Sequence, residues 1–462
     1  MRCLSLGVVK SVAIIGAGIT GLTAAFYLKR RGLDVSVFES SNRVGGVIRS
    51  LRRDGFLAEF GPNTLLETSP KITQLVRDVG LESRRLDPDP KASARFLVRD
   101  KRLIAMPGSP VGFLTTKLFS LGAKFAVLRE PFVARRTDGV EESIGEFVVR
   151  RFNREFLDHA IDALVGGIYA GDPQKLSVTH AFPKLKALED SYGSMIRGQI
   201  FGARERKRRG EVAKDRAPKF SFDEGLQVLP DTLAALLGNA IRLNTSVTKL
   251  VRESQGWRVA SSVGEELFDA VIYCGTAHRL ADLEIVRESA EKVQVSEFGE
   301  IRHPPVASVV LGFRREDVAH DCNGFGVLVP GIEGFKILGT IFSSALFPNR
   351  APAGHITLTT YVGGERQSEL ATLSQDKIVS LVCDDLKVLL GVRGEPTFRH
   401  VVGYPKAIPQ YNVGFGRFKN AMTQIEKESP GLFFAGHFRD GVSLADSIVS
   451  GVNISERVAT ID

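Results

Sequence analysis

Cysteine is scarce in this chain, with only Cys3, Cys274, Cys322 and Cys383 among 462 residues, and none stands at Cys-x-x-Cys or Cys/His ligand spacing. That excludes a disulfide framework and a zinc-type centre, and it fits reduced thiols. Long apolar runs are missing too: no stretch approaches the roughly 20 residues a spanning helix needs. The N-terminus reaches a strand-like run within about ten residues and lacks the apolar core of a signal peptide. The expectation is a cytoplasmic protein, neither secreted nor transmembrane, that remains free to lie on a membrane surface. Acidic residues are slightly under-represented, 53 against 61 Lys+Arg, for a formal charge of +8. Such a surplus suits an anionic ligand or an anionic lipid surface. The densest basic stretch, residues 203–216, has no interleaved aromatics, so it reads as a solvated loop, and nucleic acid is not an expected partner. No nucleophile–base–acid constellation and no metal site is evident.

What is present is the composition of a soluble globular protein, 43% hydrophobic and 25% charged. The length suggests two or three domains. The strongest local signal is Gly16, Gly18 and Gly21 between an apolar strand-like run and a helical pattern. The first glycine permits a tight turn, the second lets backbone approach a pyrophosphate, and the third lets the helix pack on the strand. Glu39 ends a second strand about twenty residues on, where a carboxylate can accept from a ribose hydroxyl. From about residue 69 to 200 helical periodicity dominates. Within it, residues 111–128 carry Phe113, Leu114, Leu118, Phe119, Leu121 and Phe125 beside Lys117 and Lys124. An interfacial helix pair and an ordinary core helix both have this pattern. Strand-like runs at 241–251, 257–260 and 268–274 precede a strand-rich block at 303–404, and a last strand, Gly-rich turn and helix close the chain from 431.

After Glu39 come Arg43, Gly45 and Gly46 in a small-residue turn where a nicotinamide-binding domain would continue into a crossover helix. With the glycine turn and the closing strand–turn–helix, this resembles the flavoprotein superfamily of amine oxidases and polyene desaturases. The resemblance implies FAD, contacted by Gly16, Ala17, Gly18, Ile19, Thr20, Gly21, Glu39, Ser40, Arg43, Gly46, Val47, Gly61, Pro62, Asn63 and Thr64. It further implies Gly436, Asp440, Val442, Ser443 and Leu444 under the flavin, with the Val442 N–H aimed at the ring where charge collects on reduction. The backbone of Val247 is implied at the adenine edge, though a simple core strand explains it as well.

Longer segments, beginning at Gly166, Phe220, Phe325, Leu338 and Ile408, resemble the oxygen-dependent protoporphyrinogen oxidase family over essentially the whole chain. That family removes six electrons from a porphyrinogen, with O2 reoxidising the flavin to give H2O2. The implied fold is α/β: a discontinuous Rossmann-like FAD-binding domain (1–68, 217–285 and 405–462), a mixed-sheet substrate-binding domain (69–90 and 286–404) and a helical membrane-binding domain (91–216). Position by position, Arg95 is implied to pair a propionate, Gly171 to pass close to substrate, and Leu328 and Ile341 to sandwich pyrrole rings. An ordinary surface arginine, a plain turn and core packing are the competing readings of these four. Tyr361 stands where many members have Phe, and its hydroxyl needs a partner if buried. Asn63 replaces an arginine of some animal forms, which weakens the case for a second carboxylate contact there. No general base is identified.

The family is monotopic, which favours membrane contact for residues 111–128 on the inner face of a membrane. A sister activity on coproporphyrinogen, a more distant amine or polyene oxidase, and a flavin-free carrier of the same fold are the alternatives. A homodimer stays open, and a terminal chelatase partner follows from pathway logic alone.

Overall fold

Four short apolar runs, too hydrophobic for any face to meet water, and the two-residue strand Ile241–Arg242 pair as a five-stranded parallel sheet in the computed structural model, which describes residues 9–208 and 217–460. Its strand order is Ile241–Arg242, Asp34–Phe38, Ser11–Ile15, Ala270–Tyr273, Leu432–Phe434, with every neighbouring pair parallel. The sheet therefore draws on both ends and the middle of the chain. Val12, Ala13 and Ile14 at its centre are fully buried.

The helix Ile19–Arg30 makes the crossover from the first strand to the second and packs against Leu444–Ala459 and Val228–Leu237. Two glycines set that closeness. A methyl group on Gly21 would stand 2.0 Å from the Gly16 carbonyl oxygen, and one on Gly451 would stand 2.6 Å from the Thr20 carbonyl oxygen. Between them lie Leu22, Ala25, Ile448 and Val452, all buried, where each large aliphatic side chain contributes about 1.5–3 kcal/mol.

A second, seven-stranded sheet runs Phe398–Tyr404, Val306–Arg314, His355–Gly363, Ile337–Phe342, Gly326–Leu328, Arg95–Arg99, Arg102–Ala105. It is mixed, because Gly326–Leu328 pairs parallel with Arg95–Arg99 and the other neighbours pair antiparallel. The helix Gln375–Leu390 covers one face through Ile378, Val382 and Leu386 against Val309, Val327 and Leu358. The hairpin at 95–105 corrects the periodicity reading, which has this stretch helical. Its partner strand lies some 230 residues on, so no local pattern reports the pairing. Lys219–Phe222 is likewise a strand held by distant partners, Leu65–Leu66 and Arg85–Leu86.

A helical region includes Pro110–Thr115, Leu121–Arg129, Ile144–Arg151, Asp162–Tyr169, Pro183–Tyr192 and Met195–Arg208, and meets the second sheet through Asp162–Tyr169. Its brace is Arg151, fully buried, which bonds Glu130 and, at 3.2 Å, Glu189. The basic stretch at 203–216 begins inside the last helix and is not a loop there; its remainder, like Cys3, lies outside the described residues. Among the described residues no helix is long and apolar enough to cross a membrane.

Candidate functional site

At the end of the first strand the chain turns at Gly16, whose N–H donates to the Phe38 carbonyl at 2.8 Å. The helix that follows has Gly18 at its N-cap with no side chain closing the first turn, and nothing lies within 4 Å of where a Gly18 methyl would point. An open, uncapped helix N-terminus is an anion site in waiting. Glu39 is held beside it: one carboxylate oxygen accepts from the Ala17 N–H at 2.8 Å, the other from the Ser41 N–H and hydroxyl.

The turn at 43–47 folds onto this loop. Gly45 N–H donates to the Ala17 carbonyl at 2.8 Å, and a Gly46 methyl would touch the Gly18 Cα at 3.6 Å. Arg43 is spent on the turn itself, donating to the carbonyls of Val44, Gly46 and Ile48. Burial lowers its pKa from the ordinary arginine range, which is the cost of holding a cation inside a small-residue turn. Val47 is exposed, and its carbonyl abuts Gly61, where a methyl would stand 2.6 Å away.

The third wall is residues 436–444. Gly436 lies against Thr20, 3.6 Å from its hydroxyl to a built methyl, and the Thr20 hydroxyl donates to the Ser447 carbonyl at 3.0 Å. Ser443 caps the final helix in a reciprocal box with Asp446. Asp440 faces inward on its own turn, accepting from Gly436 N–H and from the Ser450 hydroxyl at 2.5 Å. Burial drives the His437 imidazole down to about 4, so this turn carries no histidine cation at neutral pH. Val247, by contrast, lies at the far end, where Thr245 N–H donates to the Glu39 carbonyl at 2.8 Å. These contacts bring the Gly16–Gly21 turn, Glu39, residues 43–47, Gly61 and Gly436 together along one track that is rich in glycine, and Val247 stands at its far end through Thr245.

A second group meets this track at one point. In register, Tyr361 pairs with Gly339, Gly339 with Leu328, Ile341 with Gly326, and Gly326 with Arg95. Partners in register share a face of a pleated sheet, as do alternate residues. Arg95, Leu328, Ile341 and Tyr361 therefore stand on the face opposite the covering helix. Gly326 and Gly339 leave room between them. Leu328 packs toward Leu97 and Phe119, Ile341 toward Phe325 and Phe347. Arg95 and Lys219 both sit over the Phe325 ring, at 5.7 and 5.9 Å from its centre. The Tyr361 hydroxyl finds its partners in the first group: it donates to the Gly61 carbonyl at 3.0 Å and accepts from Asn63 at 2.7 Å. Gly171 is off this face. It is buried, and a methyl there would strike Gln410 Oε1 at 2.5 Å and Leu176 at 2.9 Å, while its neighbour Ala170 packs beside Tyr361 and Leu338.

Two residues escaped the sequence reading. Glu59 is buried, accepting from the Ser50 hydroxyl at 2.7 Å and the Leu226 N–H at 2.8 Å, with burial pushing its carboxyl up to about 7. Tyr411 sits beneath the 436–442 turn. The Glu59-Phe-Gly-Pro-Asn and Ile408-Pro-Gln-Tyr runs stand out in the sequence, but neither run names its distant partners.

Comparison with known proteins shows the family and the fold. The model of the flavin containing amine oxidoreductase family matches residues 19–459. Protoporphyrinogen oxidase 2, chloroplastic/mitochondrial, of Arabidopsis thaliana is 36% identical over 97% of this chain and 94% of its own. Coproporphyrinogen III oxidase of Staphylococcus aureus is 31% identical over 97% and 99%. Among solved structures, a protein from Exiguobacterium sp. 255-15 superposes with a TM-score of 0.80 at 24% identity over 97% and 98%. Reduced UDP-galactopyranose mutase gives 0.73 at 14% over 98% and 96%. These two likenesses concern the fold.

Proposed function

The chain belongs to the flavin-containing amine oxidoreductases and is an FAD oxidoreductase, and within that family we propose that it oxidises a porphyrinogen to the porphyrin in tetrapyrrole biosynthesis. The favoured substrate is protoporphyrinogen IX. Six hydrogens leave as three hydride-and-proton pairs, and three O2 are reduced to three H2O2, so that protoporphyrin IX results and electrons balance. Bound FAD supplies the hydride acceptor and passes the electrons to O2.

The chain's own residues bind and orient. In this reading Gly16–Gly21 and the uncapped helix take the diphosphate, Glu39 a ribose, and Val247 the adenine edge. Residues 43–47, 61–64 and 436–444 surround the ring system. Arg95 grips a propionate through its planar guanidinium. Leu328 and Ile341 flank the macrocycle and exclude water. The observation that carries the reading is the Tyr361–Asn63–Gly61 contact, which joins the substrate face to the cofactor track. At about 4.8 Å per strand, the strand of Tyr361 lies roughly 14 Å from that of Arg95. A flat macrocycle with one carboxylate arm spans that interval. Gly171, backed by Gln410, belongs to the wall behind it.

A coproporphyrinogen substrate is the second reading, favoured by Lys219, which adds a cation beside Arg95 where a tetracarboxylate would carry more charge. We further propose the domain division at 1–68, 217–285 and 405–462 for FAD, 69–90 and 286–404 for substrate, and 91–216 for the membrane. The hairpin at 95–105 is shared with the substrate sheet. Membrane contact is supported by Val111, Leu121, Phe125 and Phe132, which are 71%, 83%, 68% and 81% exposed. Such a protein would be peripheral on the cytoplasmic side, as a homodimer or beside a terminal chelatase that takes the porphyrin.

An aerobic assay with both porphyrinogens, following porphyrin fluorescence and H2O2, tests the reading. Porphyrin formed with stoichiometric peroxide is expected. Strong preference for the tetracarboxylate moves the assignment to the second reading, and no product with either substrate overturns both.

A further inference from the structure

We propose that Tyr411 is a positioning residue that holds the turn at 436–442 in shape for the flavin, an inference that rests on the FAD reading of that turn. Tyr411 is 1% exposed. Its hydroxyl accepts from the Gly441 N–H at 3.0 Å and donates to the His437 carbonyl at 2.5 Å. One phenol therefore closes the turn from inside, bonding a donor at one end and an acceptor at the other. Gly441 has φ +130° and no side chain with which to hold itself.

The other braces leave a gap that Tyr411 fills. Asp440 and Ser450 fix Gly436, and the capping box fixes Ser443. Gly441 and His437 are bonded by Tyr411. Val442 hangs between Gly441 and Ser443, so the direction of its N–H is set by both. The phenol cannot swing away. Its ring stacks on Phe415 with centres 4.1 Å apart and 26° between planes, and the Lys419 ammonium lies 5.4 Å above it. The preceding Gln410 donates to the Tyr169 carbonyl at 2.8 Å. Burial raises the hydroxyl well above the ordinary tyrosine range, so it keeps the proton it donates. Removing it leaves a half-buried N–H and a half-buried carbonyl without this partner, a cost the turn relieves by moving. A moved turn aims its amide dipoles elsewhere, and the flavin senses that directly.

Holoenzyme carrying Tyr411→Phe tests this against Phe415→Leu, which loosens the ring stack but keeps the hydroxyl. Tyr411→Phe is expected to keep its circular-dichroism spectrum, release FAD about tenfold more readily, and shift the flavin midpoint potential and visible band. Phe415→Leu should melt earlier while leaving the potential in place. A para-amino analogue of phenylalanine at position 411 keeps the donor to His437 and accepts poorly from Gly441. Intermediate affinity and potential are expected for it, and this variant carries the test if Tyr411→Phe does not fold. Wild-type affinity and potential in Tyr411→Phe, or in the amino analogue where that stands in, overturn the proposal. So does an equal shift in Phe415→Leu. A wild-type protein that takes up no FAD overturns the cofactor reading as well, which separates the two failures.

Discussion

The side-chain amide of Asn63 donates to the Tyr361 hydroxyl at 2.7 Å across 298 residues of chain. This bond, with the Tyr361 donation to the Gly61 carbonyl at 3.0 Å, locks the substrate-side sheet to the loop that borders the cofactor track. Tyr361→Phe removes the hydroxyl and leaves Asn63 with only its 3.3 Å bond to Gly61. A loss of about 1–2 kcal/mol in stability is expected, the usual cost of a buried polar group losing its partner. Urea unfolding of the holoenzyme followed by flavin fluorescence measures it, and an unchanged midpoint would show that the bond carries no weight.

Arg95 is tested through the carboxylate it is proposed to bind. A charge-assisted bond is worth about 1.5–3 kcal/mol, which converts to roughly 10–100-fold in affinity. Arg95→Met should raise KM for a porphyrinogen by that factor with a smaller change in kcat, and Arg95→Lys should recover part of it. The dimethyl ester, lacking the charge, should not distinguish wild type from Arg95→Met. Equal sensitivity to both substrates would place Arg95 in the scaffold instead.

How much of this is legible in the sequence depends on the reach of each interaction. The turn at Gly16, Gly18 and Gly21 is legible because strand, turn and helix are neighbours, and spacing alone encodes their geometry. The need for a partner at Tyr361 is legible too, since a buried hydroxyl demands one, yet the partner's identity is not. The strand at Arg95–Arg99 reads as part of a helical stretch because its mate is Gly326–Leu328. Tyr411 and Glu59 carry no local signature for the same reason: their partners come from Gly441 and His437, and from Ser50 and Leu226. Periodicity also cannot separate the two fates met within residues 111–128. Leu118 and Phe119 are buried while Leu121 and Phe125 are exposed, although all four fit one apolar pattern.

The exposed members of that stretch make the membrane proposal testable without touching the core. Leu121→Asp with Phe125→Asp places two charges on side chains 83% and 68% exposed. Binding to anionic vesicles, read by sedimentation, should fall about tenfold or more, because interfacial affinity scales with buried apolar area. The melting temperature should not move. Undiminished vesicle binding would remove this face from consideration.

Glu59 predicts a pH dependence of stability. Burial pushes its carboxyl up to about 7 from an ordinary 4.5, with the Ser50 and Leu226 bonds and the nearby Arg350 charge opposing but not cancelling that push. The folded state therefore binds this proton more tightly than the unfolded chain does. Its contribution is full below about pH 4.5, declines as pH rises, and is lost once pH passes about 7; the total is on the order of 3 kcal/mol. Glu59→Gln keeps an acceptor for the Leu226 N–H and cannot ionise. The variant should thus be more stable than wild type above pH 7 and show a flatter stability profile between pH 5 and 7, where wild type declines. Urea midpoints at half-unit intervals across that window give the comparison. Parallel profiles for the two proteins would mean that Glu59 titrates near its ordinary value and that its burial is compensated by Arg350 and the two hydrogen bonds.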